Sequence, residues 1–299
     1  LLPFYLRTKE RDPQRWQSWN ITPELEQQLV HLLQVKPRRS ASGVATITVI
    51  TKPWKCGGAC IYCPNDLRMP KSYLSDEVTS RLRALNQMGH VTDKIELIVL
   101  GGTWSDYPRA YQIWFITELF RALNDAGVER PGSLSPTTSF SSANARERRQ
   151  FYRDCGLSYE RDDLVAFTQA QQCLVNEGEL TYNEAMVNLY ETGEPWKAIA
   201  KHQHATLDEL EREHVRNEQA AHRVVGLVVE TRPSLITPEN LTFLRALGAT
   251  KVQMGVQSLD QHIHDINQRP VSIAQIDRAL DLTRLFGFKT HTHFMVNLL

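Results

Sequence analysis

Short runs of β-branched and apolar residues alternate along this chain with longer stretches in which apolar residues recur every three or four positions. The runs read as strands and the stretches as amphipathic helices. The strand candidates are ATITVIT at 45–51, KIELIVLGG at 94–102, VVGLVVETRP at 224–233, TKVQMGVQS at 250–258 and FKTHTHFMVNLL at 288–299. Pro53 and Pro233 close the first and third, since proline brings no N–H to a ladder. Helices are expected over 22–34, with Thr22 as N-cap and Leu25, Leu29, Leu32 and Leu33 at helical spacing, over 109–124, from about Pro238 to Leu247, and over 272–286. Strands alternating with helices imply parallel pairing, and ligands in such sheets bind at the C-terminal strand ends. The pattern predicts an α/β fold of the partial (β/α) barrel kind.

Residues 127–222 break the rhythm. They open with the turn-rich ERPGSLSPTTSFSSANARERRQ and continue as polar helical sequence to Ala221. A parallel crossover needs about a dozen residues, so a helical insertion of roughly 70 residues is expected within one connection. The chain opens without Met and closes inside the last strand candidate, which suggests a piece of a longer protein with the barrel incomplete at its C-terminal end.

Composition narrows the class. With 299 residues, 41% of them hydrophobic, and 34 basic against 34 acidic side chains, the chain is neither disordered, nor a disulfide-stapled mini-protein, nor a polycation. No run of about 18 apolar residues occurs, so a cytoplasmic protein with no membrane partner is expected. The zero net charge hides an asymmetry: residues 1–73 hold 11 basic against 5 acidic residues, and residues 140–225 hold 10 against 15. The basic part suits a polyanion, while the acidic helical part reads as a solvated face.

The cysteines carry the chemistry. Cys56, Cys60 and Cys63 fall within eight residues just after the first strand, whereas Cys155 and Cys173 stand apart. A secreted disulfide framework would spread an even number along the chain, so the cluster points to metal or redox chemistry. Three thiolates on one loop can each bind a different iron of a cubane and leave the fourth iron open, an arrangement suited to substrate or cofactor binding. Structural zinc would want a fourth ligand from further away, and unliganded cysteines are the remaining alternative. His291 and His293 alternate on one strand and read as lumen or core histidines before metal ligands, and Cys155, Cys173, His202 and His204 match no familiar metal spacing.

The Cys56-x3-Cys60-x2-Cys63 spacing, with Tyr62 before the last cysteine, resembles the signature of the radical S-adenosylmethionine enzymes. Gly101-Gly102-Thr103 after the second strand looks like the superfamily's motif for the methionyl amine. RRSASGVATITVITKPWKCGGACIYCPND, DKIELIVLGGTWSDYP, RVVGLVVETRP and ATKVQMGVQSLD resemble, in order, blocks of the catalytic subunit of Elongator and its single-chain prokaryotic relatives. The compact cysteine spacing favours the prokaryotic type. This resemblance covers nearly the whole chain except the insertion, and implies a radical domain over 44–299 preceded by a basic tRNA-binding segment over 1–43. It further implies a 4Fe-4S cluster, S-adenosylmethionine as cofactor and acetyl-coenzyme A as co-substrate. The reaction it implies is transfer of an acetyl-derived carboxymethyl group to C5 of the wobble uridine (position 34) of certain tRNAs. A deoxyadenosyl radical would take hydrogen from the acetyl methyl, the carbon radical would add to C5, and hydrolysis would release coenzyme A. The family's acetyltransferase-type domain would lie outside this stretch.

Carried over by position, the resemblance makes Cys56, Cys60 and Cys63 cluster ligands and sets Tyr62 against adenine. It places Gly101, Gly102 and Thr103 at the methionyl group. Glu230 and Arg232 would face the cofactor, with a mutual ion pair as the structural alternative, and Gln257 and Ser258 would reach the same pocket. Lys36, Arg38, Arg39, Lys52, Lys55, Arg68 and Lys71 flank the cysteine loop and are candidates for phosphates of the anticodon arm. The implied partners are tRNA, a reductant for the cluster, and a second copy or an Elongator-like assembly. Another radical enzyme of the methylthiotransferase or tetrapyrrole-oxidase type, or a non-catalytic zinc and RNA-binding module, are the rival readings.

Overall fold

The five runs rich in β-branched and apolar residues form strands β1 (Ala45–Ile50), β2 (Lys94–Leu100), β3 (Arg223–Thr231), β4 (Lys251–Gln257) and β5 (Lys289–Phe294). In the computed structural model, which describes residues 1–34, 37–58, 60, 67, 74–126, 145–157 and 162–298, they make one sheet in the order β1-β2-β3-β4-β5 with every pairing parallel. Sequential order with right-handed crossovers sends the connecting helices to one face of the sheet, as in a barrel wall, and frees the other face to line a lumen. This is the partial α/β barrel with a helical insertion that the sequence predicts.

The two faces differ in chemistry. Ile47, Val49, Ile95, Leu97, Val99, Leu227, Val229, Val252 and Met254 point to the helices and are at most 1% exposed. They pack with Phe115, Ile116, Leu119 and Leu123 of the helix Arg109–Asp125 and with Leu241 and Leu244 of the helix Pro238–Ala246. The alternate positions Glu96, Glu230, Lys251, Gln253, His291 and His293 belong to the opposite, polar face, because successive strand side chains alternate. Lys251 pairs with Glu96 at 2.6 Å, and a Cβ at Gly226 would stand 3.2 Å from the Glu96 Cγ, so the glycine leaves room for that side chain.

Two sequence expectations need correction. The fifth run was expected to extend to 299, but β5 ends at Phe294, and Asn297 adopts φ 62°, a left-handed conformation that no ladder continues. The predicted helix over 22–34 forms as Pro23–Leu33, capped by the Thr22 hydroxyl on the Leu25 N–H at 3.3 Å. Its leucine spacing does not become burial, for Leu25 is 51% and Leu32 81% exposed.

The inserted block contains helices at Ala145–Asp154, Asp162–Asn176, Tyr182–Met186 and Glu194–Ala200, with a π-helical turn at Val187–Glu191. It has a small core of its own, Ala185, Met186, Leu189, Tyr190, Trp196 and Ile199, into which Leu67 inserts. The next helix, Leu207–Asn217, which the sequence placed within the insertion, packs instead along Arg109–Asp125. Asn124 Nδ2 donates to the Glu213 carbonyl at 3.0 Å, and Arg216 pairs with Asp125 at 2.5 Å. Asn217, 3% exposed, ties this seam to the sheet: its Nδ2 donates to Asn124 Oδ1 at 2.6 Å and to the His222 carbonyl at 3.1 Å, and its Oδ1 accepts from the Val224 N–H at 2.7 Å. Asn217→Ala leaves those groups without a partner and is expected to cost about 3 kcal/mol, read as a lower midpoint in urea with an unchanged slope.

Candidate active site at the C-terminal end of the sheet

The loop that leaves β1 is fastened first by Tyr107. Its hydroxyl lies 2.8 Å from Thr51 Oγ1, donates to the Lys52 carbonyl at 2.5 Å and accepts from the Gly102 N–H at 3.3 Å. Burial pushes this phenol up to about 12. Gly101 takes φ 144°, and a Cβ there would overlap Thr51 Oγ1. The glycine pair thus permits the ends of β1 and β2 to approach closely.

Beyond Trp54 the loop turns toward β3. The Gly57 N–H donates to Asp106 Oδ2 at 3.1 Å, while Asp106 Oδ1 holds Arg232 Nη2 at 3.0 Å. A Cβ on Gly57 would collide with the Arg232 guanidinium, so that guanidinium lies directly against the loop backbone. A Cβ on Gly58 would lie 3.4 Å from Arg232 Nη1, 3.7 Å from Cys60 Sγ and 3.9 Å from Cys56 Sγ. Two thiols and one positive charge therefore gather around a residue with no side chain. Cys56 Sγ also lies 3.5 Å from Thr103 Oγ1. Arg232 is 17% exposed on its side chain, and its Nε is buried with no hydrogen-bond partner among the described residues.

The Glu230–Arg232 pair does not form. Arg232 takes Asp106, and Glu230 instead faces His293, whose Nδ1 lies 3.8 Å from Glu230 Oε1. Burial raises the Glu230 carboxyl above its ordinary value, with His293 pulling it back. His291 stands edge-on to His293 at 4.9 Å, so the two histidines form a lumen pair with Glu230. Gln257 closes β4 at φ 70°, and Ser258 follows in a tight turn, its carbonyl 2.8 Å from His264 Nε2 and its hydroxyl accepting from the Asp260 N–H at 3.1 Å. Cys155 packs beside the insertion's core, His202 meets the Phe151 ring edge-on at 5.0 Å, and His204 Nδ1 lies 3.0 Å from the Lys201 carbonyl.

The basic candidates are not one surface. Arg38, in the turn Pro37–Ser40, lines a cavity of about 640 Å³ with His31, Gln34, Ser40 and Lys94 at the N-terminal end of the sheet. Lys55 lies at the C-terminal end and pairs with Glu191 at 2.7 Å. The length of β1, about 20 Å at roughly 3.3 Å per residue, separates the two ends. Lys52 corrects an expectation outright: it is 5% exposed and out of reach of a phosphate. Its ammonium sits 4.7 Å from Trp54, 4.6 Å from Tyr111 and 5.9 Å from Trp196, with Gln203 Oε1 at 3.5 Å. Tyr62, Cys63, Lys36, Arg68 and Lys71, and the Arg39 side chain, lie outside the described residues.

Residues 188–299, which include β3 to β5, match the radical SAM superfamily. The chain carries a radical SAM domain. It is 29% identical over 279 residues to the tRNA uridine(34) acetyltransferase of Dehalococcoides mccartyi, covering 88% of this chain and 44% of that protein. It is 24% identical over 301 residues to Elongator complex protein 3 of Schizosaccharomyces pombe, covering 92% and 41%. The chain thus spans less than half the length of the curated relatives it matches. In fold, the chain resembles the solved structure of archaeal Methanocaldococcus infernus Elp3 with N-terminus deletion (1-46), with a TM-score of 0.51 at 24% identity over 86% of this chain and 38% of that one. No helix among the described residues is long and apolar enough to cross a membrane.

A radical SAM domain implies S-adenosylmethionine and a 4Fe-4S cluster. The residues present fit that group, since the Cys56 and Cys60 sulfurs converge around Gly58 and the Arg232 charge can offset a thiolate-bound cluster. Sequence reasoning overlooked Asp106 and Tyr107, although both stand in the block LGGTWSDYP.

Lys52 supplies a test of the site's construction. Burial lowers its ammonium from 10.5 to about 8, with the charge of Glu191 pulling it partly back. Between those two values the unfolded chain holds a proton that the folded chain has released, so stability rises with pH across that window, by roughly 3 kcal/mol at most. Lys52→Met is expected to melt several degrees higher than the parent below pH 8 and to lose that advantage toward pH 10.5, as thermal unfolding in a buffer series would show. A parent protein whose melting temperature falls over the same window contradicts the burial.

Proposed function

We propose that this chain is the radical portion of an enzyme that modifies the wobble uridine (position 34) of tRNA, using acetyl-coenzyme A as acetyl donor and transferring a carboxymethyl group to C5. The observation that carries the reading is the gathering of Cys56, Cys60 and Arg232 around Gly58 at the C-terminal ends of β1 to β3, in a radical SAM domain whose relatives bear the tRNA uridine(34) name.

Cys56, Cys60 and Cys63 would hold the cluster and leave one iron for S-adenosylmethionine. When bound, that pair supplies a carbon-centred radical, the chemistry that uridine C5 demands because it resists ordinary nucleophiles. The residues of the chain orient and enclose. Thr103 stands beside the Cys56 sulfur at the place where the methionyl group is expected, with Gly101 and Gly102 keeping the strand ends close. Arg232, whose Nε has no partner among the described residues, would meet the cofactor carboxylate from the β3 side, and Glu230 with His293 would face ribose hydroxyls from the lumen. Tyr62, Gln257 and Ser258 would complete the pocket. The wall of strands would shelter the reacting atoms from water on one side. The tRNA contacts would come from segment 1–43, where Arg38 is the candidate whose side chain is described, and from Lys55, Arg68 and Lys71 near the loop.

Anaerobic incubation with iron and sulfide should give a brown protein that cleaves S-adenosylmethionine reductively to methionine and 5′-deoxyadenosine. Cys56→Ala and Cys60→Ala should each abolish cleavage, and a colourless parent protein would end the radical reading. For the RNA contact, Arg38→Glu is expected to weaken anticodon-arm binding and lower the slope of affinity against salt by about one. An unchanged slope would remove segment 1–43 from the interface.

A further inference from the structure

The inserted helices grip the main chain of the cysteine loop at both of its described ends. At the first, the Cys56 N–H donates to Asn183 Oδ1 at 2.9 Å and Asn183 Nδ2 donates to the Cys56 carbonyl at 2.7 Å. One carboxamide thus satisfies both peptide groups of the first cysteine, as a neighbouring strand would. At the second, the Leu67 N–H donates to Gln172 Oε1 at 2.7 Å, Tyr190 Oη donates to the Leu67 carbonyl at 3.4 Å, and the Leu67 side chain is fully buried in the insertion's core.

Asn183 is itself held firmly. It lies in the first turn of the helix Tyr182–Met186, which begins with a capping box: the Thr181 hydroxyl accepts from the Glu184 N–H at 3.2 Å, and the Thr181 N–H donates back to Glu184 Oε2 at 2.8 Å. The same helix buries Ala185 and Met186 in the core that receives Leu67. One short helix therefore fixes Asn183 against Cys56 and lines the pocket for Leu67.

We infer that Asn183 is a positioning residue for the cluster ligands, and that the inserted block acts as the outer jaw of a clamp on the cysteine loop whose inner jaw is Asp106 with Arg232. This rests on the reading of the cysteines as cluster ligands. Groups that orient metal ligands from the next layer out act on affinity without touching the metal, and the Cys56 peptide is one bond from the carbon that bears its sulfur side chain.

Two variants separate the contributions in the full protein. Asn183→Leu removes both bonds at similar volume, whereas Asn183→Asp keeps the acceptor for the Cys56 N–H and removes the donor to its carbonyl. In cluster-free protein, residue-resolved hydrogen exchange should show the Cys56 amide exchanging roughly tenfold faster or more in Asn183→Leu, and near the parent rate in Asn183→Asp. After reconstitution, an iron chelator should bleach the visible absorbance about 10- to 100-fold faster in Asn183→Leu, with Asn183→Asp between, and the electron paramagnetic resonance line shape of the reduced cluster should change. Glu191→Gln, which breaks the exposed ion pair from the same block to Lys55, should bleach at the parent rate. Parent-like bleaching and line shape in Asn183→Leu overturn the proposal. Should Asn183→Leu fail to fold, parent-like bleaching in Asn183→Asp overturns it equally. A parent that takes up no cluster overturns the reading of the cysteines and the ligand-positioning role with it, while faster Cys56 exchange in Asn183→Leu would still establish the clasp.

Discussion

A loop that has to aim cysteine side chains has no ladder of its own, so its peptide groups must be met from elsewhere. Several of those that are described meet a side chain. Tyr111 and Tyr107 take the N–H and carbonyl of Lys52, Asn183 takes both groups of Cys56, Asp106 takes the Gly57 N–H, and Gln172 and Tyr190 take those of Leu67. These partners come from the end of β2, the following helix and the insertion. The shape of the loop is accordingly the joint product of three segments, and a change in any one reaches the sulfurs.

Charge follows the same economy. The Asp106–Arg232 pair is 15% and 17% exposed on its side chains, sheltered enough that removing one partner would leave the other badly solvated. It serves as a strut between β2 and β3 and keeps a positive group beside the thiols. The lumen below carries further polar groups, Glu96 with Lys251 and Glu230 with His293. An interior of this kind adds little to stability, and the apolar face turned toward the helices supplies most of it. The wall thus has one side that holds the fold and another that is open to chemistry.

The strands and most of the crossover helices were legible because each buries a continuous face, which leaves a periodic trace in the sequence. Cys56 and Cys60 were legible because their spacing is itself the signal. Lys52 was misread because a lone lysine in a basic stretch looks solvated, and nothing in the sequence says that Trp54, Tyr111 and Trp196, far apart in the chain, close around it. Asn183 was invisible for a similar reason, since its partner lies 127 residues away and an asparagine near a helix start reads as ordinary turn chemistry. The exposed leucines of Pro23–Leu33 show the converse, that helical spacing alone does not guarantee burial.

The seam between the helices Arg109–Asp125 and Leu207–Asn217 has an evolutionary corollary. The chain departs from the barrel near Asp125 and is back beside the same residue at Arg216, which binds it. Lengthening an excursion whose ends are already together raises its closure entropy only slowly, so ancestral chains could gain or trim residues there without shifting the register of β2 on β3. What such drift could not change freely is the short helix that meets Cys56. Selection on this excursion would therefore act on its innermost turn, while its outer length stays open to lineage-specific variation.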